Sequence, residues 1–308
     1  MVDEADVHPL QTLRARNCAV KPAPFTYHAP RTAPEALALL AKLAPEDGRV
    51  LAGGQSLMPV MALRLARPAH LVDINNVAGF DRLAVIDGVL CIGPCVRHAS
   101  LDATAAPGPL GPLLAEVRRH IAHMPIRERG TFCGSLANAD PSSEWSLLAA
   151  TLGAEMVLSR EAGQRTLPAA AFFAGIMTTA LAPDEMLTEV CVPLLPDGAR
   201  TGFFEFSRRA GDYAQSMALA VYELIDGRIA NPRLGLGAVE DRPRRLAAVE
   251  AVLAGQVPSP ALFQAAAAAA RPGLRPLDDD PYRLDLAEGA IRRALANAAQ
   301  VSSPTSPV

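Results

Sequence analysis

Residues 51–75, LAGGQSLMPVMALRLARPAHLVDIN, carry the strongest fold signal in the chain. The two adjacent glycines, Gly53 and Gly54, follow a short apolar run that predicts a strand. The next apolar run predicts a helix, and HLVDIN predicts a second buried strand. Adjacent glycines accept positive φ and let the backbone approach an anion closely. The order strand, glycine loop, helix, strand therefore indicates a loop that holds a phosphate group.

The usual nucleotide-binding motifs do not match this loop. AGGQS satisfies neither the Rossmann pattern G-x-G-x-x-G nor the P-loop pattern G-x-x-x-x-G-K-[ST]. No acidic residue stands where a Rossmann ribose ligand is expected. Taken alone, the loop fits a tight turn as well as a ligand site.

A second loop of similar chemistry changes that balance. RGTFCGSLANADPSSE, residues 129–144, places small and hydroxyl-bearing residues ahead of a predicted helix and acidic residues close behind. Two such loops, each beside a strand and a helix, predict one extended ligand that is held from both sides. A pyrophosphate between the loops and sugar hydroxyls on a carboxylate such as Glu144 would use all of these groups.

Composition excludes several classes of function. The 308 residues are 50% hydrophobic and carry a formal charge of −3, with no basic run that would attract nucleic acid. Lys21 and Lys42 are the only lysines, which leaves few candidates for Schiff-base chemistry. No uncharged apolar run is long enough to span a membrane, and the N-terminus is acidic. A cytoplasmic protein with reduced, scattered cysteines is expected.

Local signals also outline the domains. Thr32 is a candidate N-cap for a helix over TAPEALALLAKLAP, and Asp87-Gly88 joins two apolar runs in a predicted hairpin. Residues 1–24 are expected to form a loosely attached leader, and the Ser/Pro-rich residues 301–308 a disordered tail. Turn residues cluster around 194–202 and predict a domain boundary there.

Several motifs together resemble one family. AGGQSLMPVMALRLARPAHLVDIN, IRERGTFCGSLANADPSSE, FFAGIMTTALAPDEMLTEVCVP and FSRRAGDYA are similar to the FAD-binding medium subunits of molybdenum hydroxylases. That family includes the carbon monoxide dehydrogenase and xanthine dehydrogenase types. The resemblance implies an α+β architecture, with a two-lobed FAD-binding domain of the vanillyl-alcohol-oxidase (PCMH) type over 25–196. Its lobes would cover about 25–78 and 79–196, and a smaller C-terminal α/β domain would cover 200–300.

The resemblance also implies the cofactor site. The two loops would wrap the FAD pyrophosphate, Glu144 would bind the ribose, Ile121 and Leu187 would line the flavin or adenine region, and Tyr213 would lie near the isoalloxazine ring. The cofactor-binding residues implied in this way are Leu51, Ala52, Gly53, Gly54, Gln55, Ser56, Leu57, Ile121, Thr131, Phe132, Cys133, Gly134, Ser135, Asn138, Asp140, Glu144, Leu187 and Tyr213.

The second loop departs from the family pattern. The family typically has T-I-G-G-N, whereas this chain has TFCGS, with Cys133 for a glycine and Ser135 for an asparagine. If the position of Cys133 requires positive φ, the substitution costs about 1–2 kcal/mol. An inert side chain is favoured over a redox-sensitive thiol at Cys133.

Metal sites on this chain are not predicted. Cys91 and Cys95 have no further clustered cysteines that would complete an iron–sulfur site. His120 and His123 are spaced for one helical face, but no carboxylate or cysteine is grouped with them in the sequence.

The implied function is electron transfer at FAD. A large molybdopterin subunit would hydroxylate the substrate, a small subunit with [2Fe-2S] clusters would conduct electrons, and this chain would pass them to an external acceptor. A dimer of heterotrimers is expected. Two alternatives remain: a stand-alone flavin oxidoreductase, and a non-catalytic assembly protein that keeps the fold, which the TFCGS departure favours.

Overall fold

A computed structural model describes residues 22–300 of the chain. The tail 301–308 and all of the leader except residues 22–24 lie outside the described residues. None of the helices within 22–300 has the length and apolar character needed to cross a membrane.

The first lobe is a three-stranded parallel sheet in the order β1-β3-β2. The sequence pattern of strand, glycine loop, helix and strand is confirmed. Thr32 caps the first helix, because its side chain accepts a hydrogen bond from Glu35 N. The elements are β1 Thr26–His28, α1 Ala33–Leu43, β2 Gly48–Leu51, α2 Leu57–Ala62 and β3 His70–Asp73.

The second lobe is built on a five-stranded antiparallel sheet in the order β4-β5-β10-β6-β7. The predicted turn between the first two of these strands is present, with φ of 49° at Asp87 and 80° at Gly88. Its strands are β4 Leu83–Ile86, β5 Val89–Ile92, β6 Glu155–Arg160, β7 Gly163–Pro168 and β10 Met186–Pro193, and a small separate hairpin is formed by β8 Phe173–Gly175 and β9 Thr178–Thr179.

Five helices accompany these strands. They are α3 Leu110–His120, α4 Met124–Arg127, α5 Phe132–Asn138, α6 Glu144–Leu152 and α7 Ala169–Phe172. The helix α6 is buried along almost its whole length, because the sheet of the second lobe and the C-terminal sheet both pack against it. Trp145, which is fully buried, lies in the core that these elements share.

The C-terminal domain has a four-stranded antiparallel sheet in the order β11-β12-β13-β14, with three helices on one face. Its elements are β11 Arg200–Phe206, β12 Ser216–Ile225, β13 Arg228–Gly237, β14 Arg244–Arg245, α8 Ala247–Leu253, α9 Pro260–Ala270 and α10 Pro281–Gln300. Gly202 allows close packing, since a Cβ at this position would lie 3.0 Å from Ala298 Cα on α10.

The longest buried strand of this domain was not evident from the sequence. β12 is buried on both faces over Ser216–Tyr222, because α6 and its core cover one face while α10 covers the other. A short apolar run that is buried on both faces shows no alternation, so periodicity does not distinguish it from a buried helix.

Candidate functional site

A cavity of about 1030 Å³ lies where the two lobes and the C-terminal domain meet. Both loops identified in the sequence line it, together with two further segments of the chain. Its walls come from residues 47–57, from much of 121–144, from 177–185 and from 211–213. A volume at the upper end of those found for small-molecule sites suits an extended ligand.

The first loop presents bare backbone to the cavity. Gly54 has a φ of 71°, a conformation that strains residues with a Cβ. Gly53 lies against the second loop, since a Cβ at Gly53 would be only 2.7 Å from Gly130 Cα. Gln55 Nε2 donates to Gly53 O over 3.0 Å and fixes the loop internally. The two loops are therefore in direct backbone contact.

The second loop runs directly into α5. Thr131 is the N-cap, and its hydroxyl accepts a hydrogen bond from Gly134 N over 3.1 Å. Phe132 N donates to Val96 O over 3.0 Å, which ties the loop to the preceding segment of the lobe. The hydroxyl oxygens of Ser135 and Ser143 are 2.8 Å apart. These bonds order a row of hydroxyl and amide groups along one wall.

A polar network joins the two loops. Arg97 donates to Arg129 O in the second loop and, over 2.6 Å, to Asn75 Oδ1. Asn75 Nδ2 in turn donates to Ala52 O in the first loop over 2.8 Å, and to Asp73 Oδ1. None of these residues was predicted from the sequence, although Asp73 and Asn75 end the stretch 51–75 as polar residues after a predicted strand.

A buried histidine supports the second loop. Trp145 Nε1 donates to His98 Nδ1 over 2.9 Å, so the other ring nitrogen of a neutral His98 carries the proton. Burial, and secondarily Arg97, lowers the pKa of His98 to about 4. A Cβ at Gly130 would lie 2.7 Å from His98 Cδ2. His98 also lines the cavity, and no local sequence signal identified it.

Two carboxyl groups at or beside the cavity have raised pKa values. Burial raises the pKa of Glu144, which begins α6, to about 7, and Asp140 adds a smaller electrostatic contribution. Burial also raises the pKa of Glu205 to about 8, with Glu144 as the second cause. Within the described residues Glu205 Oε2 has no hydrogen-bond partner, and His120 Nδ1 lies 3.9 Å away.

Two further segments complete the walls. Glu185, whose side chain is 3% exposed, pairs with both Nε and Nη2 of Arg165 over 2.7 Å and accepts from Ala182 N. These bonds hold the segment 177–185, called here the strap. On the other side Gly211, with a φ of 86°, lies against the ring of His123, and Tyr213 is 77% exposed at the cavity.

Most of the predicted site residues are brought together in this one cavity. Those that line it are Leu51, Ala52, Gly53, Gly54, Gln55, Ser56, Leu57, Ile121, Thr131, Gly134, Ser135, Asn138, Asp140, Glu144 and Tyr213. Those that do not line it are Phe132, Cys133 and Leu187.

The side chains of these three residues lie in the core instead. Phe132 is fully buried and its ring lies 5.1 Å from that of Trp145. Leu187 lies on β10 opposite Leu158 and belongs to the same core, so its side chain does not line the cavity. The reason is the alternation of side chains along a strand, which directs Leu187 away from the cavity.

Cys133 likewise has its side chain in the core. It lies inside α5 and is absent from the residues of positive φ, so the strain considered for a cysteine at this position does not arise. Its Sγ lies 3.4 Å from Ile92 O in the core. The departure from the family pattern at Cys133 therefore leaves the cavity wall unchanged, whereas Ser135 does line the wall.

The histidine pair has a different arrangement from the one its spacing predicted. His120 ends α3, whereas His123 precedes α4, so the two do not share a helical face. Cys95 does not accompany Cys91 either. It belongs to the core of the first lobe, where its Sγ lies 3.4 Å from Ile74 O.

Two family models match the chain. The FAD binding domain in molybdopterin dehydrogenase matches residues 23–195, and the CO dehydrogenase flavoprotein C-terminal domain matches residues 202–298. Together they cover almost all of the residues that the structure describes.

Relatives match over nearly their whole length. The nicotine 6-hydroxylase medium subunit of Paenarthrobacter nicotinovorans is 37% identical over 276 residues, which are 88% of this chain and 96% of that protein. The carbon monoxide dehydrogenase medium chain of Hydrogenophaga pseudoflava is 33% identical over 90% of this chain and 98% of its own. The structure of quinoline 2-oxidoreductase from Pseudomonas putida 86 superposes with a TM-score of 0.86 at 37% identity, covering 92% of this chain and 99% of the matched chain.

Proposed function

The chain belongs to the FAD-binding medium subunits of the molybdenum hydroxylases, and we propose that the cavity between its two loops holds the FAD. Membership makes it an oxidoreductase subunit that works in a complex with a large and a small subunit. FAD is its cofactor, and the molybdenum and iron–sulfur centres belong to the partners. Its role in the complex is electron transfer.

The residues of the cavity fit FAD. Gly53 allows the two loops to pack backbone to backbone, because any side chain there would collide with Gly130, and the backbone N–H groups of such loops suit a pyrophosphate. Gln55, Ser56 and Ser135 line the same wall and offer hydrogen-bond donors to phosphate oxygens. Asp140 and Glu144 offer acceptors for sugar hydroxyls. The single observation that carries the proposal is the backbone contact between the two loops, which sets their donors around one cavity.

Each part of the chain then has a task. The two loops bind the pyrophosphate, Glu144 and Asp140 orient the ribose, and Ile121 provides an apolar surface for a ring. Tyr213 covers the exposed side of the isoalloxazine, and the strap limits access of water. When bound, FAD supplies the redox chemistry, since it accepts and releases electrons one or two at a time.

The domain limits and the assembly are part of the same proposal. The FAD-binding domain covers 25–196, with lobes of about 25–78 and 79–196, and the C-terminal domain covers 200–300. The separate sheets of these regions support this division, as does the second core that the C-terminal sheet forms with its own helices. The complex is a dimer of heterotrimers, and it works in the cytoplasm.

The alternatives lose their support. Relatives that align over 96–98% of their length are named as medium subunits or chains, which favours a complex over a stand-alone oxidoreductase. The assembly-protein alternative depended on TFCGS, yet Cys133 does not reach the cavity wall, and Ser135, which does, still offers a hydroxyl donor to a ligand.

Flavin binding and subunit association test this function. The full chain is freed of flavin and titrated with FAD. One FAD should bind per chain, and its visible absorbance should bleach on reduction. Co-expression with the neighbouring genes should yield a complex that contains molybdenum and iron. A chain that ignores added FAD would overturn the proposal, and so would one that binds FAD but associates with no molybdenum subunit.

A further inference from the structure

Three potential metal ligands lie together on the sheet of the second lobe, away from the cavity. Cys91 on β5 and Cys191 on β10 are directly opposite each other in the antiparallel register. Glu189 is two residues before Cys191 on the same strand. The neighbours Leu90, Ile92, Val190 and Val192 belong to the core, so the alternation of the strands places Cys91 and Cys191 on the opposite face of the sheet.

The distances suit coordination of one ion. One ligand atom from each of Cys91, Glu189 and Cys191 lies within 4.8 Å of the other two. In a tetrahedral zinc site with Zn–S bonds of about 2.3 Å, two sulfurs lie about 3.8 Å apart. Adjustments of about 1 Å or less would therefore bring the three ligands onto one ion. Rotation about side-chain bonds provides such adjustments, while the paired strands keep the backbone in place.

We propose that Cys91, Cys191 and Glu189 form a binding site for a thiophilic divalent cation of the zinc class. Two thiolates and one carboxylate prefer zinc or cadmium, whereas magnesium and calcium prefer oxygen ligands alone. Glu189 and Cys191 are partly exposed, so water can reach the ion and complete a tetrahedron. Because none of the three residues lines the large cavity, this site is independent of the FAD.

The contacts within the cluster suit a cation. Cys191 Sγ lies 3.5 Å from Glu189 Oε1 and donates its proton toward that oxygen. A divalent ion would take the place of this proton, because thiols bind a metal in their deprotonated form and release their protons on binding.

The expected consequence is a link between two central strands. An ion at this site would join β5 to β10, which form the middle of the five-stranded sheet. Since the site exists only when the strands are paired, the ion should raise the melting temperature of the chain. Coordination would also protect the two thiols from alkylation and from joining as a disulfide.

Cadmium titration tests the site directly. The full chain, reduced and freed of metal, is titrated with Cd²⁺ while the thiolate-to-cadmium absorbance is recorded. One ion should bind per chain. The double variant Cys91→Ala/Cys191→Ala should lose this binding, and Glu189→Gln should weaken it at least tenfold. Cys95→Ala is the matched control, because it removes another buried thiol outside the cluster and should bind as the wild type does.

Alkylation of the wild-type chain tests the site without any substitution, so a folding defect in the variants does not affect this result. Peptide mapping should show that Zn²⁺ slows modification of Cys91 and Cys191 at least tenfold while Cys95 is unaffected. The proposal is overturned if the wild type binds no more Cd²⁺ than the double variant. It is equally overturned if Zn²⁺ leaves the alkylation of both thiols unchanged. Neither readout depends on flavin.

Discussion

Gly53 and Gly130 meet backbone to backbone, and a Cβ on Gly53 would lie 2.7 Å from Gly130 Cα. This contact joins the two loops that the sequence presents 77 residues apart. Behind it, Arg97 and Asn75 bind carbonyl oxygens of both loops. The two loops thus form one wall of the cavity, and a substitution in one loop should displace the other.

Replacing Gly53 should therefore weaken FAD binding. In Gly53→Ala the new methyl group forces the loops apart, and overpacking of this kind costs about 1–3 kcal/mol. FAD affinity, measured by titration of the flavin-free chain, should fall about tenfold or more. Gly198→Ala is the matched control, because a Cβ there meets no atom within 4 Å. Equal FAD affinity in the wild type and Gly53→Ala would contradict the role of the contact.

His98 should make the protein sensitive to acid. Its folded pKa is about 4 against an ordinary value of 6.5, so below pH 6.5 the unfolded chain binds a proton that the folded chain does not. The free energy of unfolding should then fall as pH drops from 6.5 toward 4, by about 3 kcal/mol at most, since each pKa unit corresponds to about 1.4 kcal/mol.

Melting temperatures across that pH range check this prediction. His98→Gln keeps an acceptor for Trp145 and should show a shallower fall than the wild type. Trp145→Phe removes the donor but leaves the histidine, and should retain most of the fall because burial is the main cause of the shift. A fall of unchanged steepness in His98→Gln would assign the acid sensitivity to other groups.

Glu205 should make the protein less stable as pH rises, which is the opposite of the effect of His98. The pKa of Glu205 is about 8 in the folded chain against an ordinary value of 4.5. Between pH 4.5 and about 8 the folded chain therefore holds a proton that the unfolded chain has released. Its contribution is complete below pH 4.5 and is lost as pH rises through about 8. Glu205→Gln should raise the melting temperature at alkaline pH and change it little in acid. Glu161→Gln, an exposed substitution, is the control and should change neither value. A Glu205→Gln chain that gains nothing at alkaline pH would rule out a buried proton there.

The Arg165–Glu185 pair should hold the strap. Arg165→Met leaves a nearly buried carboxylate without its cation, and the melting temperature should fall because of this loss of stability. The loss is less than for a fully buried pair because the Arg165 side chain is 45% exposed. Proteolysis of the strap and FAD dissociation should both become faster.

A double variant shows whether the two side chains stabilise the protein through their interaction with each other. Arg165→Met/Glu185→Gln removes both charges and should recover much of the lost stability, as expected for interacting residues in a mutant cycle. Additive losses of stability in the two single variants and the double variant would show that the pair is not coupled.

Structural features that depend on a few neighbouring residues were predicted from the sequence. The Thr32 cap, the Asp87-Gly88 turn and the glycine loop each depend on a few consecutive residues with fixed backbone preferences. The family resemblance added the two-loop cofactor site, and most residues implied in that way do line one cavity. The resemblance gave the position of Leu187 along the chain but not the face of its strand, and its side chain lies in the core.

The local elements, the pair of loops and the kind of ligand that the loops suit all follow from short stretches of sequence. The contacts between distant residues are set only by the folded chain. His98 lies under Gly130, Arg97 joins the loops, and Cys91 lies opposite Cys191 rather than beside Cys95. The physical reason is that strand register and loop packing are set by burial of the whole core, and no short segment contains that information.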